Sequence, residues 1–358
     1  MFDFVNKLQY YPDKTKAFLD GDYSKTLSTV MLYLAANICN HNCIYCDKNF
    51  YEISYKQFDR EYLDKLVDDM VLMGADSLII LGEGAEPLLS KDLCHLIGNA
   101  SNLGIACGIY TNGSVVNSDI VNAFNHLDFV RVSLDAGTSK THKLIHQYDS
   151  TKDYFTSAIK LLQSVDKEKV DTGISFIILN ENIHEIFDTW KLMSYLGVGY
   201  IELKLPLAKG YVFDSVTDGF IQEIKEQLCL IRKENSSGSK IVLNRHLDML
   251  LNGEYEDSSI LTVQEEVNCY TSVFRTIISP LGYFVCSPKK NLNEAKYGDP
   301  FKQSLYDAWN SKQHWEMIGK PCSICCTYCQ QNLVLNEMKM GKQRNTFGKA
   351  LDEQKHFL

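Results

Sequence analysis

Cys39, Cys43 and Cys46 stand in the run Cys39-Asn-His-Asn-Cys43-Ile-Tyr-Cys46, a C-x3-C-x2-C spacing with no fourth cysteine nearby. Thiolate sulfur is a soft donor. Three thiolates on one short loop can hold three corners of a cubane [4Fe–4S] cluster and leave the fourth iron open. An open iron is a place for chemistry rather than simple electron storage. A structural zinc site is the alternative, but it wants four closed ligands, as two C-x2-C pairs or one pair with two histidines. His41 lies between the cysteines, where a tight loop leaves it little freedom to reach the same metal. A ferredoxin-type run would read C-x2-C-x2-C with a distant fourth cysteine. A disulfide framework does not suit a chain of 358 residues without a secretory signal.

A second cysteine group lies near the end of the chain. Cys269 and Cys286 bracket Arg275-Thr-Ile-Ile-Ser-Pro-Leu-Gly-Tyr-Phe-Val285, a hairpin pattern turning at Pro280-Leu281-Gly282. Ser304–Ser311 reads as a short helix. It is followed by Cys322-Ser-Ile-Cys325-Cys326-Thr-Tyr-Cys329, two overlapping C-x2-C pairs. Four thiolates, Cys269, Cys286, Cys322 and Cys325, suit one iron–sulfur cluster, and Cys326 and Cys329 offer a shifted choice. The same set suits a zinc knuckle. Cys94, Cys107 and Cys229 have no metal spacing and read as buried structural residues.

These cysteines need a scaffold, and the apolar pattern provides one. Six mostly continuous apolar runs, Thr29–Ala35, Ser77–Leu81, Ala106–Thr111, Phe129–Leu134, Gly173–Leu179 and Tyr200–Pro206, predict parallel strands covered on both faces. Helical periodicity falls between them: Tyr62, Leu63, Leu66, Val67, Met70 and Val71 form one stripe, and Leu93, Leu96 and Ile97 begin another. Further helices are predicted over Asp153–Ser164, Ile183–Leu196 and Phe220–Glu234. Repeated β-then-α order gives right-handed crossovers and an α/β fold with a parallel sheet. Six units make a partial (β/α)6 barrel with an open side. The expected units are an N-terminal extension (1–26), the barrel core (27–235), a small cysteine-rich unit (236–338) and a tail (339–358).

Composition narrows the function classes. Net charge is −9 with pI near 5.5, and no broad basic patch stands out, so nucleic acid is a poor partner. No apolar run approaches the roughly 20 residues of a membrane span. The N-terminus lacks a signal-peptide pattern, and twelve cysteines point to a reducing, cytoplasmic setting.

In α/β barrels reacting groups gather at the C-terminal strand ends, and the cysteine triplet follows the first strand. The second strand runs into Gly84-Ala85-Glu86-Pro87, and the third into Thr111-Asn112-Gly113. Ser133 and Asp135 alternate on the fourth and so share a face. His142 and His146 follow one helical turn apart, with a solvated helix face as their default reading. Asn180 closes the fifth strand. Glu202 and Lys204 share one side of the sixth, with a surface ion pair as the plain alternative.

Together these stretches resemble the radical S-adenosylmethionine (radical SAM) enzymes over roughly Leu27 to Asn332. The resemblance implies that Cys39, Cys43 and Cys46 hold a [4Fe–4S] cluster whose open iron chelates SAM. Tyr45 stands where that family carries an aromatic residue. Gly84-Ala85-Glu86-Pro87 is similar to its Gly-Gly-Glu-Pro stretch, which holds the SAM amino group, with Ala85 in place of a glycine. Ser133, Asp135 and Asn180 are implied as cofactor contacts. Many relatives place an Arg-Gly where this chain has His146-Gln147. The C-terminal unit resembles the SPASM extension or its shorter twitch form, which implies an auxiliary cluster. The implied activity is reductive cleavage of SAM to a 5′-deoxyadenosyl radical that takes a hydrogen atom from the substrate, with a flavodoxin- or ferredoxin-type reductant. Only about 27 residues precede the first strand, so no leader-peptide-binding domain is expected there. This favours oxidation of a C–H bond in a small molecule of sugar or aminocyclitol kind. Crosslinking or epimerisation of a ribosomal peptide is the alternative. A non-enzymatic zinc or iron–sulfur protein is the alternative from another class.

Overall fold

A strand that is apolar on both faces must be covered on both, and the arrangement of elements follows from that need. In a computed structural model, the described residues are Leu8, 10–46, 55–206, 216–234, 237–253, 268–287, 290, 292–320 and 330–341. The strands in chain order are β1 (Thr29–Ala36), β2 (Lys56–Gln57), β3 (Ser77–Glu83), β4 (Ala106–Thr111), β5 (Phe129–Ser133), β6 (Asp171–Ile177), β7 (Tyr200–Lys204), β8 (Lys240–Leu243), β9 (Arg275–Ser279), β10 (Gly282–Phe284) and β11 (Lys296–Gly298). The main helices are α1 (Pro12–Asp20), α2 (Arg60–Leu72), α3 (Leu93–Asn102), α4 (Ser118–Phe124), α5 (Ser139–His146), α6 (Tyr154–Ser164), α7 (Ile186–Tyr195) and α8 (Asp218–Lys233).

Among the described residues one sheet holds all eleven strands, in the order β11-β10-β9-β1-β3-β4-β5-β6-β7-β8 with β2 against β1. The six predicted strands are β1, β3, β4, β5, β6 and β7, all mutually parallel, as a partial (β/α)6 barrel requires. Two additions extend it. β8 pairs parallel to β7, and β9 pairs parallel to β1 with Thr29 opposite Arg275. The hairpin predicted at Pro280-Leu281 is the β9–β10 turn, with Tyr283 opposite Ile278. The 236–338 stretch therefore shares one sheet with the barrel, joining it at both ends. β8 escaped the sequence reading because it is only four residues long.

Alternation along the strands separates two apolar layers. Val30, Leu32, Leu78, Ile80, Ile109, Val130, Val132, Ile174, Phe176 and Leu203 face the helices in the larger core. Tyr33, Ile79, Leu81, Phe129, Ile277 and Phe284 cluster on the inner face. Helix α2 shows how the outer layer is built. Asp59 caps it by accepting from Tyr62 N, and Leu63, Leu66, Val67 and Met70 are buried. Each such side chain contributes about 1.5–3 kcal/mol. On the inner face Gly173 makes room for Tyr200: a Cβ there would stand 2.2 Å from its ring. Of the unassigned cysteines, Cys107 is buried as expected, Cys94 is half-buried and Cys229 is exposed. Among the described residues no helix is long and apolar enough to cross a membrane.

Candidate active site

The loop after β1 carries Cys39, Cys43 and Cys46, all half-buried at the C-terminal end of the sheet. Its shape is set by what it leans on. Asn42 N and Ile44 N donate to the His146 and Ile145 carbonyls, each at 2.9 Å. These carbonyls at the end of α5 have no partner within the helix, so the loop satisfies them. Glu86 N donates to Ile38 O at 2.8 Å and ties the loop to the end of β3.

Two N–H groups and one imidazole nitrogen come to the cysteine sulfurs. His41 N lies 3.4 Å and Asn112 Nδ2 3.9 Å from Cys39 Sγ, and His146 Nδ1 lies 3.3 Å from Cys43 Sγ. Thiolates bound to iron accept such bonds, so the sulfur surroundings fit an iron–sulfur cluster. Cys39, Cys43 and Cys46 are the residues that would hold it.

Behind the loop is a buried histidine group. His142 and His146 are both fully buried, not on a solvated helix face. The apolar seat under the cysteine loop draws them in. Their rings stack 4.1 Å apart. His41 turns inward despite the tight loop, with Nδ1 3.1 Å from His146 Nδ1. The ligand atoms of His41, Cys43 and His146 lie within 4.8 Å of one another. Burial, then the neighbouring His146 and His41, push the His142 imidazole far below its usual range, so it is neutral. Burial also opposes charge on His146, but Cys43 and Asp135 outweigh it and raise the group to about 10. Gln147 ends α5 in the left-handed region at φ 46°, the backbone that a glycine would adopt without strain.

Asp135 is the hub of the site. It is buried, at φ 54°, and its carboxylate accepts from Tyr45 Oη at 2.5 Å and Ile177 N at 2.6 Å. His146 Nε2 lies 3.2 Å from it. Burial, then the nearby Asp135 and Cys43, hold the Tyr45 hydroxyl well above the usual phenol range. The carboxylate is thus occupied by protein groups. Ser133 is half-buried at the end of β5, opposite Ser175. Asn180 is exposed. Its neighbour Asn182 is the buried amide, donating to Asp135 O and Ile177 O at 2.8 Å each.

The Gly84–Pro87 turn sits beside the loop. Gly84 takes φ 56°, whereas Ala85 needs no left-handed angle, so its replacement of glycine carries no strain. Gly82 is the position without room: a Cβ there would lie 1.9 Å from the Ala85 carbonyl oxygen. The Glu86 carboxylate accepts from the Thr111 hydroxyl, from Asn112 N at 2.7 Å and from Leu88 N at 3.0 Å. Burial raises it to about 7 although these donors pull the other way. Glu86 thereby fixes the Thr111-Asn112-Gly113 turn, and Asn112 in turn reaches Cys39.

Deeper inside the barrel, Arg131, Glu202 and Lys204 form an internal row, not a surface pair. Arg131 and Glu202 pair directly, and Lys204 Nζ is 2.8 Å from Glu202. The Arg131 guanidinium lies 4.7 Å from the Tyr110 ring centroid and 5.3 Å from that of Tyr200. Burial would raise the Glu202 carboxyl, but Lys204 and Arg131 hold it below its usual range. Arg131 was missed in the sequence, although a charge inside the Phe129–Ser133 run is itself a signal.

Cys269 and Cys286 are half-buried. Cys269 is seated by Gly319 N, which donates to its carbonyl at 2.8 Å. Cys322, Cys325, Cys326 and Cys329 lie outside the described residues.

The sequence pattern described as the radical SAM superfamily matches residues 33–193. The chain is 28% identical to Fe-coproporphyrin III synthase of Methanosarcina barkeri over 167 residues, covering 46% of this chain but only 40% of that protein. It is 22% identical to the tungsten-containing aldehyde ferredoxin oxidoreductase cofactor-modifying protein of Pyrococcus furiosus, over 79% of this chain and 82% of that one. In fold it is similar to Streptococcus suis SuiB in its crystal structure with the precursor peptide SuiA. There the TM-score is 0.65 at 15% identity, over 91% of this chain and 77% of the other. The family is defined by a [4Fe–4S] cluster and SAM. With the cysteine loop at the mouth of a parallel partial barrel, residues 33–193 of the chain form a radical SAM domain.

Proposed function

We propose that this radical SAM enzyme oxidises a C–H bond of a small molecule in a biosynthetic step. The observation that carries the reading is the loop of three half-buried thiols, two of which meet N–H or imidazole nitrogen, at the C-terminal mouth of the barrel. When bound, the cluster and SAM supply an electron and a 5′-deoxyadenosyl radical that removes a hydrogen atom. The protein's part is placement. Glu86 holds the Thr111–Gly113 turn against the loop, and Asp135 ties Tyr45 to the ends of β5 and β6. The inner face, lined by Tyr33, Tyr110, Arg131 and Lys204, offers aromatic walls and fixed charge to a compact polar substrate. Such a face excludes water from the reacting centre and orients the C–H bond.

The names of the two curated relatives concern a porphyrin and a protein's cofactor, which supports small-molecule chemistry. Neither name refers to a sugar, so the substrate is proposed at the level of small molecule. The likeness in fold to SuiB supports peptide modification as the second reading. Residues 236–338 are proposed as the auxiliary-cluster unit, with Cys269 and Cys286 contributing ligands. A flavodoxin- or ferredoxin-type protein is proposed as the reductant.

The test is anaerobic turnover of reconstituted protein with dithionite and SAM. 5′-Deoxyadenosine is the product expected, and Ala variants of Cys39, Cys43 or Cys46 should not form it. Cleavage retained in all three would refute the assignment. Adding a pooled metabolite extract or peptide mixtures then separates the two substrate classes by which one stimulates cleavage. The grouping of His41, Cys43 and His146 favours one competing reading, a single metal ion on that trio. Stoichiometric zinc with intact SAM would establish it.

A further inference from the structure

The inner face of the sheet carries a polar row that the cysteine loop does not use. Ser133, Ser175 and Glu202 stand opposite one another on β5, β6 and β7. Their neighbours Val132, Ile174, Phe176, Ile201 and Leu203 lie in the helix-facing core, so alternation turns all three inward. Arg131 is one inward position below, between the Tyr110 and Tyr200 rings, with Nε 3.1 Å from the Tyr200 hydroxyl. Lys204 is one inward position above, toward the strand ends that carry the cysteine loop.

The row is uneven in charge. One carboxylate, Glu202, stands between two cations and pairs with both. Asp135, the next carboxylate, accepts from Tyr45 and Ile177 and forms no ion pair with Lys204 among the described residues. A surplus charge away from water is costly until an opposite charge joins it. An ammonium has three donors, and Glu202 is the one partner of Lys204 among the described residues. The Lys204 side chain keeps 29% exposure, so the open end of the row is its cation. A second observation points the same way. Ser175 is 8% exposed, yet its hydroxyl has no hydrogen-bond partner among the described residues. A hydroxyl so buried is ordinarily bonded. Ser133 stands beside it, half-buried. A neutral ligand would leave the surplus charge unanswered. A single negative charge balances it, and a carboxylate also accepts from hydroxyls through charge-assisted bonds.

We propose that this row anchors a carboxylate of the substrate: Lys204 binds it, the Ser133 and Ser175 hydroxyls flank it, and the Arg131–Glu202 pair lies beneath. This rests on the reading of the chain as an enzyme acting on a small molecule, and it names the class of that molecule as an organic acid.

The experiment is ligand-observed NMR on the full chain, reconstituted anaerobically with iron and left unreduced so that SAM stays intact. The probes are small organic acids, each paired with its own primary amide, in saturating SAM. Acids should bind about tenfold more tightly than their amides. Lys204→Met should erase that preference by weakening the acids alone. Glu202→Gln should act the other way and tighten the acids, since Arg131 and Lys204 then face no protein carboxylate. A merely structural role would not give opposite signs. Amides equal to acids, no acid bound, or acids unaffected by either substitution would overturn the proposal. If Lys204→Met takes up no iron, Glu202→Gln decides: tighter acids support the proposal, equal or weaker ones overturn it. Acids that bind only without SAM, with SAM affinity lowered in Lys204→Met, would assign the row to the cofactor's own carboxylate and also overturn it. A wild-type protein that forms no 5′-deoxyadenosine once dithionite is added would instead defeat the enzyme reading, and this inference with it.

Discussion

Tyr45 donates its hydroxyl to Asp135 at 2.5 Å, so a residue between two cysteines of the site is tied to the end of the fifth strand. Asp135 is buried in a left-handed backbone angle and keeps its place through this bond, Ile177 N and Asn182. Tyr45→Phe removes one donor from a buried carboxylate. The expected cost is about 1–3 kcal/mol, read by urea unfolding under anaerobic conditions. A cost near zero would mean that the bond does not hold the loop.

Glu86 makes stability depend on pH. Its carboxyl stands at about 7 in the folded chain against an ordinary 4.5. A raised folded value contributes stability that is full below 4.5 and is lost as pH rises through 7. That loss is worth about 3 kcal/mol at 1.36 kcal/mol per unit. Glu86→Gln cannot ionise, so its unfolding free energy should lack this slope between pH 5 and about 7.5. It should also be lower throughout, because the amide nitrogen faces a donor. Parallel slopes in the two proteins would show that Glu86 titrates normally.

Arg131 is buried in the barrel and Glu202 nearly so, with Lys204 the more exposed partner at 29%. Arg131→Met leaves Glu202 with Lys204 alone and should cost about 3–5 kcal/mol. Arg131→Met with Glu202→Met removes the stranded charge and should recover most of that. Equal losses in single and double variants, by thermal unfolding, would place the cost in packing instead.

The proposed auxiliary unit makes a separate prediction. Cys269→Ala or Cys286→Ala should lose about four irons per chain. SAM cleavage to 5′-deoxyadenosine should continue, while conversion of substrate stops. Unaltered iron content would remove these two cysteines from any cluster.

The barrel was legible because its information is local. Each parallel strand is a buried apolar run bounded by turn residues, and the observed edges fall within a few residues of those predicted. The cysteine triplet was legible by spacing. The surroundings of the sulfurs were not, because most of them are made by contacts distant in sequence. Asn112 reaches Cys39 from 73 residues away, and His146 reaches Cys43 from 103. An i, i+4 histidine pair reads as a polar helix face until the loop that buries it is known. His41 looked sterically excluded for the same reason. The buried position of Asn182 was not legible either, because it is set by the turn after β6, where Asn182 Oδ1 accepts from Leu179 N. For Glu202 and Lys204 the surface pair stayed open as an alternative, because alternation gives the shared face but not which face is the lumen.

The central claim is that Cys39, Cys43 and Cys46 hold a cluster that activates SAM. The most direct test counts iron in anaerobically reconstituted protein, then adds dithionite and SAM and assays 5′-deoxyadenosine. About eight irons per chain with 5′-deoxyadenosine formed, both lowered by Cys43→Ala, is the predicted result. Stoichiometric zinc, no iron uptake and intact SAM would contradict it.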